Sequence, residues 1–479
     1  MTLYLTHLIF LTLSLVILYV LRHESNISRY HNFISFFSFV ISLSIFLKRD
    51  FLLGTKVQLI EVFDKVSITF YLDEIGIIFL LVSNFLWFLT SLYASRYLVL
   101  NDYKNQNIFY IFFLFAMLAT NGIIYSENLF TIFIFYEILT LSTYPLVTLK
   151  KNEDTLKSGK KYLFILLGTS VIFLLPAIIV TYSVTGSISF SEPIPFSGVS
   201  EIILIITMLL FIFGTAKSAV MPFHKWLPSA MVAPTPVSAL LHAVAVVKSG
   251  VYILTKIFLL IYGAGVSSMT SMQVFVVVIC FTIVASSVIA LRQDSIKLRL
   301  AYSTIGQLSY ILLGVIILAP LSILAALLHF IFHAFGKIVL FLSAGIFATN
   351  FKVKNVSEMG GLATIAPLTC FSMTVGALIM IGLPPTVGFI SKWYLLLGLS
   401  SSEEYLAISV IIISTLLNAG YYLPMIYKVY FNDATTANSK IREDIFLVTP
   451  VFLVTFIGIM IFFFSTPIVS FVQQIGYMQ

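Results

Sequence analysis

Four lysines and one glutamate stand where a charge is costly. Glu137, Lys217, Lys248, Lys337 and Lys392 each lie inside a long apolar stretch of this 479-residue chain. At the centre of a bilayer-spanning helix a charge costs about 2.5–3.5 kcal/mol, so five would cost on the order of 12–17 kcal/mol if ionised and unpaired. Lysine titrates near 10.4 in water but can fall toward about 5–6 when buried, and a nearby carboxylate pulls it back up. Moving Glu137 toward or away from Lys217 would therefore switch that lysine between holding and releasing a proton. Three histidines accompany the lysines. His329, His333 and Lys337 follow at i, i+4 and i+8, which stacks them on one helical face at about 6 Å per step. His242 precedes Lys248 by one and two-thirds turns. Amines and neutral imidazoles in series can relay protons through water without a metal or a nucleophile.

Each residue has a competing structural reading. Glu137, mid-way along IFIFYEILTLSTYPL, could be a neutral hydrogen-bonded carboxyl. Lys217 lies near the end of its span, where a long side chain can reach the interface. Lys248 and Lys337 are mid-span and too deep to do so easily. The histidines could be satisfied core hydrogen-bonders. Haem ligation needs opposed pairs on two helices, and His242 has no second histidine on its own helix.

The elements that must position these groups are membrane helices. The chain is 59% hydrophobic and 10% charged, with a mean hydropathy of +1.05, far from the roughly 25% charge of a soluble domain. Apolar runs near 2–21, 32–47, 74–94, 107–125, 128–148, 162–182, 201–221, 236–261, 271–290, 302–318, 322–348, 367–397, 405–430 and 445–470 give fourteen spans, each near the length a bilayer core requires. The first span lacks the basic flank and cleavage site of a signal peptide and reads as a retained helix. Cys280 and Cys370 fall in no metal-binding spacing, and an iron–sulfur cluster needs four ligands. The sequence predicts no cofactor and no metal.

Charge supplies the topology. Connections after odd-numbered spans hold eighteen of the 27 Lys and Arg, including the cluster Lys150, Lys151, Lys157, Lys160 and Lys161, whereas those after even-numbered spans hold four. The positive-inside bias then puts both termini on the non-cytoplasmic face. The net charge of +7 follows this alternation, so it reflects topology and not nucleic-acid binding. No connection exceeds about thirty residues, too little for a soluble domain.

Two spans should be broken. The seventh ends in Lys217-Ser-Ala-Val-Met-Pro222, and the twelfth carries Gly382-Leu-Pro384-Pro385-Thr-Val-Gly388 before Lys392. Proline removes a backbone donor and clashes with the preceding turn. Paired Gly/Pro interruptions, each beside a lysine, are the mark of transporters built from repeats. The two breaks stand five spans apart, and an odd number of spans per unit makes the repeats inverted. The division expected is 1–106 for the first three spans, 107–261 and 271–430 for two five-helix repeats, and 445–479 for the last span and the C-terminus.

The stretch GTAKSAVMPFHKWLPSAMVAPTPVSALLHAVAVVKSGVYIL from Gly214, then HFIFHAFGKIVLFLSAG, MGGL at 359–362 and GLPPTVGFISKW at 382–393, resembles the antiporter-like subunits shared by respiratory complex I and Mrp-type Na+/H+ antiporters. The resemblance spans most of the chain. It implies an all-α polytopic membrane protein of fourteen core helices with two inverted five-helix units. It also implies that Glu137 pairs with Lys217, that His242 and Lys248 link the units, that His329, His333 and Lys337 continue a hydrophilic axis, and that Lys392 is the terminal lysine near the exit.

The function so implied is proton or monovalent-cation translocation within a multisubunit complex of the inner cell membrane, Mrp-type in the first reading. A pumping subunit of NADH:quinone oxidoreductase, or of a related hydrogenase, is the alternative, and a stand-alone secondary transporter is the third. No redox or hydrolytic site belongs to this chain in any of them. Expected partners are other membrane subunits, lipid, protons and Na+. Chain length points toward the Mrp D subunit or the shorter complex I homologues, whereas SALLHAVAVVKSGVY leans toward the large-subunit type.

Overall fold

The computed structural model describes residues 2–63, 66–192, 198–263, 272–433 and 442–475, with the side chains of residues 242 and 243 left aside. Helix occupies all fourteen apolar runs. Among the described residues, ten helices are long and apolar enough to cross a membrane, including Leu3–Val20, Ile27–Leu47, Glu74–Leu100, Leu129–Val147, Glu153–Thr185 and Pro320–Asn350. The eighth run is a helix from Thr235 to Tyr262 that widens into π-turns at Leu241–Ala245 and Ile257–Tyr262. The tenth spans Ile296–Ile316.

Both expected breaks are present. The seventh run is helical over Glu201–Gly214, tightens into a short turn at Ala216–Ser218, and passes through Ala219 at φ 60° before resuming at Phe223. The twelfth is helical over Pro367–Ile381, turns through Gly382 at φ 82°, and resumes over Val387–Ser401. Glycine takes the left-handed conformation at position 382 without a Cβ penalty, which ends the helix there.

The connection between the second and third helices holds strand as well as loop. Strands β1 (Lys56–Phe63) and β2 (Val66–Tyr71) pair antiparallel, Lys56 opposite Tyr71 and Phe63 opposite Val66. β2 goes on to bond the turn between the fourth and fifth helices. Tyr71 N donates to Tyr125 O at 2.7 Å, and Glu127 N donates to Thr69 O at 3.1 Å.

The chain divides into two compact units. The first comprises residues 1–88, 104–237 and 245–275, and the second 89–103, 238–244 and 276–479. In the first unit the fifth helix packs on the fourth and sixth, and the eighth packs on the broken turn of the seventh. The second is built around Pro320–Asn350, which contacts the tenth, twelfth and fourteenth helices and is buried nearly all round. A helix buried on every face belongs inside a bundle, so its titratable residues His329, His333 and Lys337 are surrounded by protein.

Candidate functional site

In the first unit, Lys217 lies in the unwound turn, three residues past the end of the seventh helix, and is fully buried. Its ammonium donates to Tyr136 O at 2.9 Å and to Thr140 Oγ1 on the fifth helix. It sits 3.1 Å from the centre of the Tyr136 ring, whose hydroxyl accepts from Lys217 N at 3.2 Å. Residues 136 and 140 share one face of that helix, so the amine is held by a carbonyl, a hydroxyl and a π-face. Trp226 Nε1 donates to Ala216 O at 2.7 Å and satisfies a carbonyl freed by the break.

Glu137 is one residue farther along, about 100° round the helix. Its Oε1 is buried and has no hydrogen-bond partner among the described residues, and no ion pair among them joins it to Lys217. The pairing implied by the resemblance is thus a neighbourhood and not a contact. Lys248 is fully buried on the eighth helix, in a segment with every residue buried. Two residues on, Gly250 meets the broken turn so closely that a Cβ there would stand 2.3 Å from Ser218 N and 2.5 Å from Lys217 C. The side chain of His242 lies outside the described residues.

In the second unit, His329 Nδ1 lies 2.9 Å from Ser391 Oγ and Nε2 lies 3.0 Å from Gln307 Oε1. The His329 and His333 ring centres are 6.0 Å apart, so the expected stripe exists. Lys337 donates to Leu300 O and to the Tyr422 hydroxyl, each at 3.1 Å. Lys392 reaches back across the break to Met380 O at 3.1 Å and Ile381 O at 2.7 Å. Those carbonyls end the first half-helix, where an unpaired acceptor and a partial negative charge both favour an ammonium. Gly388 lets the halves meet, since a Cβ there would fall 1.8 Å from Ile379 O.

Sequence reasoning missed two groups. One is a chain of hydroxyls in the second unit, running from Tyr422 to Ser303 (2.9 Å), from Ser303 to Tyr421 (2.8 Å), and from Tyr421 to Asn418 (2.5 Å). The paired tyrosines in NAGYYLP were its only signal. The other is the ion pair of Asp73 and Lys256 in the first unit, 2.6 Å apart with both side chains at most 1% exposed. In the sequence Asp73 stands in the connection just before the third span and Lys256 near the end of the eighth, and neither position marks a buried pair.

A family model described as "NADH:quinone oxidoreductase/Mrp antiporter, TM" matches residues 126–418, which includes every candidate above from Glu137 to Lys392. This chain belongs to that family. Within the NADH:quinone oxidoreductase/Mrp antiporter family, it is 31% identical over 357 residues to NADH-quinone oxidoreductase subunit N of Desulforudis audaxviator, covering 74% of this chain and 71% of that one. It is 32% identical over 427 residues to the putative antiporter subunit mnhA2 of Staphylococcus haemolyticus, covering 83% of this chain and 53% of that one. Among solved structures it superposes on a chain of the membrane-bound sulfane sulfur reductase, an archaeal respiratory membrane complex, with a TM-score of 0.86 and 23% identity. That match covers 99% of this chain and 97% of the other. The chain therefore has the family's polytopic membrane fold, and it spans only about half the length of the antiporter relative. Asp73 lies outside the matched segment.

Proposed function

We propose that this chain is the proton- or monovalent-cation-translocating subunit of a multisubunit membrane assembly, in the first reading an Mrp-type Na+/H+ antiporter. One observation carries it. A buried amine, Lys217, rests on Thr140 and Tyr136 beside a buried carboxylate oxygen of Glu137 that has no donor among the described residues. The shift from Thr140 to Glu137 carries the ammonium between a neutral and an anionic partner. On the carboxylate it passes a proton, leaving a neutral amine and a neutral acid, and nothing else is made or broken. Desolvation keeps the energies of these states close. The second unit repeats the parts: a broken helix with Lys392, and Lys337 and His329 held by hydroxyl, amide and carbonyl groups. The antiporter name of the staphylococcal relative supports this reading.

The second reading is a pumping subunit of an NADH:quinone oxidoreductase, favoured by the subunit N relative. In it, electron transfer elsewhere drives the same conduit.

The inverted repeats at 107–261 and 271–430, an inner cell membrane, and both termini on the non-cytoplasmic side complete the proposal. The bonds between connections support that topology. In the first unit the connections after the second, fourth and sixth helices join through Phe70–Ser126 and Asn128–Ser189 bridges. In the second unit those after the ninth and eleventh join through Ser295–Asn355, and Arg96, near the C-terminal end of the third helix, pairs with Asp444 after the thirteenth at 2.7 Å. Ends that the charge alternation assigns to one side are bonded to one another.

Purification of the native assembly and its reconstitution into vesicles tests the reading. Proton flux driven by a sodium gradient, with only membrane subunits copurifying, supports the antiporter. NADH-driven flux with peripheral redox subunits gives the second reading. Full activity of the lone chain removes the multisubunit claim.

A further inference from the structure

Away from Lys217 and Glu137, the first unit holds a polar cavity and a buried ion pair separated by a thin partition. The cavity has a volume of about 510 Å³ and is lined by residues that include Lys56, Glu61, Glu127, Asn128, Ser189 and Glu192. Glu127 is 5% exposed. Its Oε1 accepts from the hydroxyls of Ser189 and Ser191 and lies 3.7 Å from the ammonium of Lys56.

The partition is the backbone of residues 126 and 127 together with Phe190. On its inner side Lys256 donates to Ser126 O at 3.0 Å, lies 4.4 Å from the centre of the Phe190 ring, and pairs with Asp73 at 2.6 Å. Asp73 Oδ1 also accepts from Gly76 N at 2.6 Å. Phe190 N donates to Glu127 O at 2.9 Å, which ties the ring to the carboxylate's own backbone. A buried ion pair is weak grounds for stability, because desolvation can outweigh attraction. A strut between the third and eighth helices would not require a second buried carboxylate one residue away, facing a polar cavity.

We propose that Glu127, Lys256 and Asp73 form a second proton-exchange station, opening through this cavity to the non-cytoplasmic side, with Phe190 as the gate. The proposal rests on the translocation function above. Lys256 first gives a proton to Asp73 and, as a neutral amine, then takes the proton held by the Glu127 carboxyl. Glu127 is left anionic, Lys256 is ammonium again, and Asp73 is neutral. One proton has crossed the partition. Displacement of the Phe190 ring brings Glu127 within reach of the amine.

Membrane vesicles carrying the native assembly, with proton flux followed by a pH-sensitive dye, provide the test. In Glu127→Gln the amide oxygen still accepts from both serines but holds no transferable proton. Flux should fall by about tenfold or more, as for loss of a proton-transferring side chain, while partners copurify normally. Glu127→Asp should recover part of it, which a merely structural role would not require. The charge-neutral double variant Asp73→Asn with Lys256→Gln should lose flux as well. If that variant does not assemble, Glu127→Gln carries the test alone. Wild-type flux in Glu127→Gln overturns the station, whatever Lys217→Ala does in parallel. Wild-type flux in Lys217→Ala as well overturns the translocation reading with it.

Discussion

Lys217 stands on the ring of Tyr136, its ammonium 3.1 Å from the ring centre and 2.9 Å from the same residue's carbonyl oxygen. A cation over an aromatic face gains roughly 2 kcal/mol or more when desolvated. The contact holds the amine next to Glu137 without committing it to the carboxylate. An amine so placed can reach the carboxylate by a short shift and return, which is what reversible proton transfer needs.

Removing the threonine should shift that balance. Thr140→Val keeps the volume and deletes the hydroxyl that receives the Lys217 ammonium. An unmet hydrogen bond from a buried charged group costs about 1.5–3 kcal/mol. Flux in vesicles should drop by about tenfold or more on that scale, with assembly intact by copurification.

Lys217→Arg tests whether the proton must leave. Arginine keeps the charge and can reach the same oxygens, but its pKa of about 12 or more prevents release. Transport should be lost although the variant folds, and flux at wild-type rates would show that charge alone suffices.

Gly250→Ala tests the packing that holds the break. The added Cβ would stand 2.3 Å from Ser218 N, against backbone that cannot move aside cheaply. Overpacking of this kind costs roughly 1–3 kcal/mol. Thermal unfolding of the purified assembly should shift downward, and flux should fall because the Lys217 turn is displaced.

Gln307→Leu addresses the second unit. It removes the oxygen that lies 3.0 Å from His329 Nε2 and so frees the ring's tautomer and orientation. Flux should slow by about tenfold or more, with the pH dependence of the rate altered. An unchanged pH profile would exclude a relay role for His329.

Much of this arrangement was legible in the chain. Pro222 and Pro385 forecast both interruptions because proline cannot continue a helical ladder, and the i, i+4, i+8 spacing put His329, His333 and Lys337 on one face. Period alone could not place Lys217 on Thr140 in preference to Glu137, since that depends on where an unwound turn sets the amine. The pairing of Asp73 with Lys256 was hidden by sequence distance, and by a backbone path that buries an acid standing in a connection between spans. The hairpin at Lys56–Tyr71 showed its alternation too weakly among charged neighbours to be separated from the connection around it.

The most direct check is proton flux in vesicles carrying the native assembly with Glu137→Ala or Lys217→Ala. Each change should abolish ion translocation while the chain still assembles with its partners. Normal flux in both variants would contradict the account.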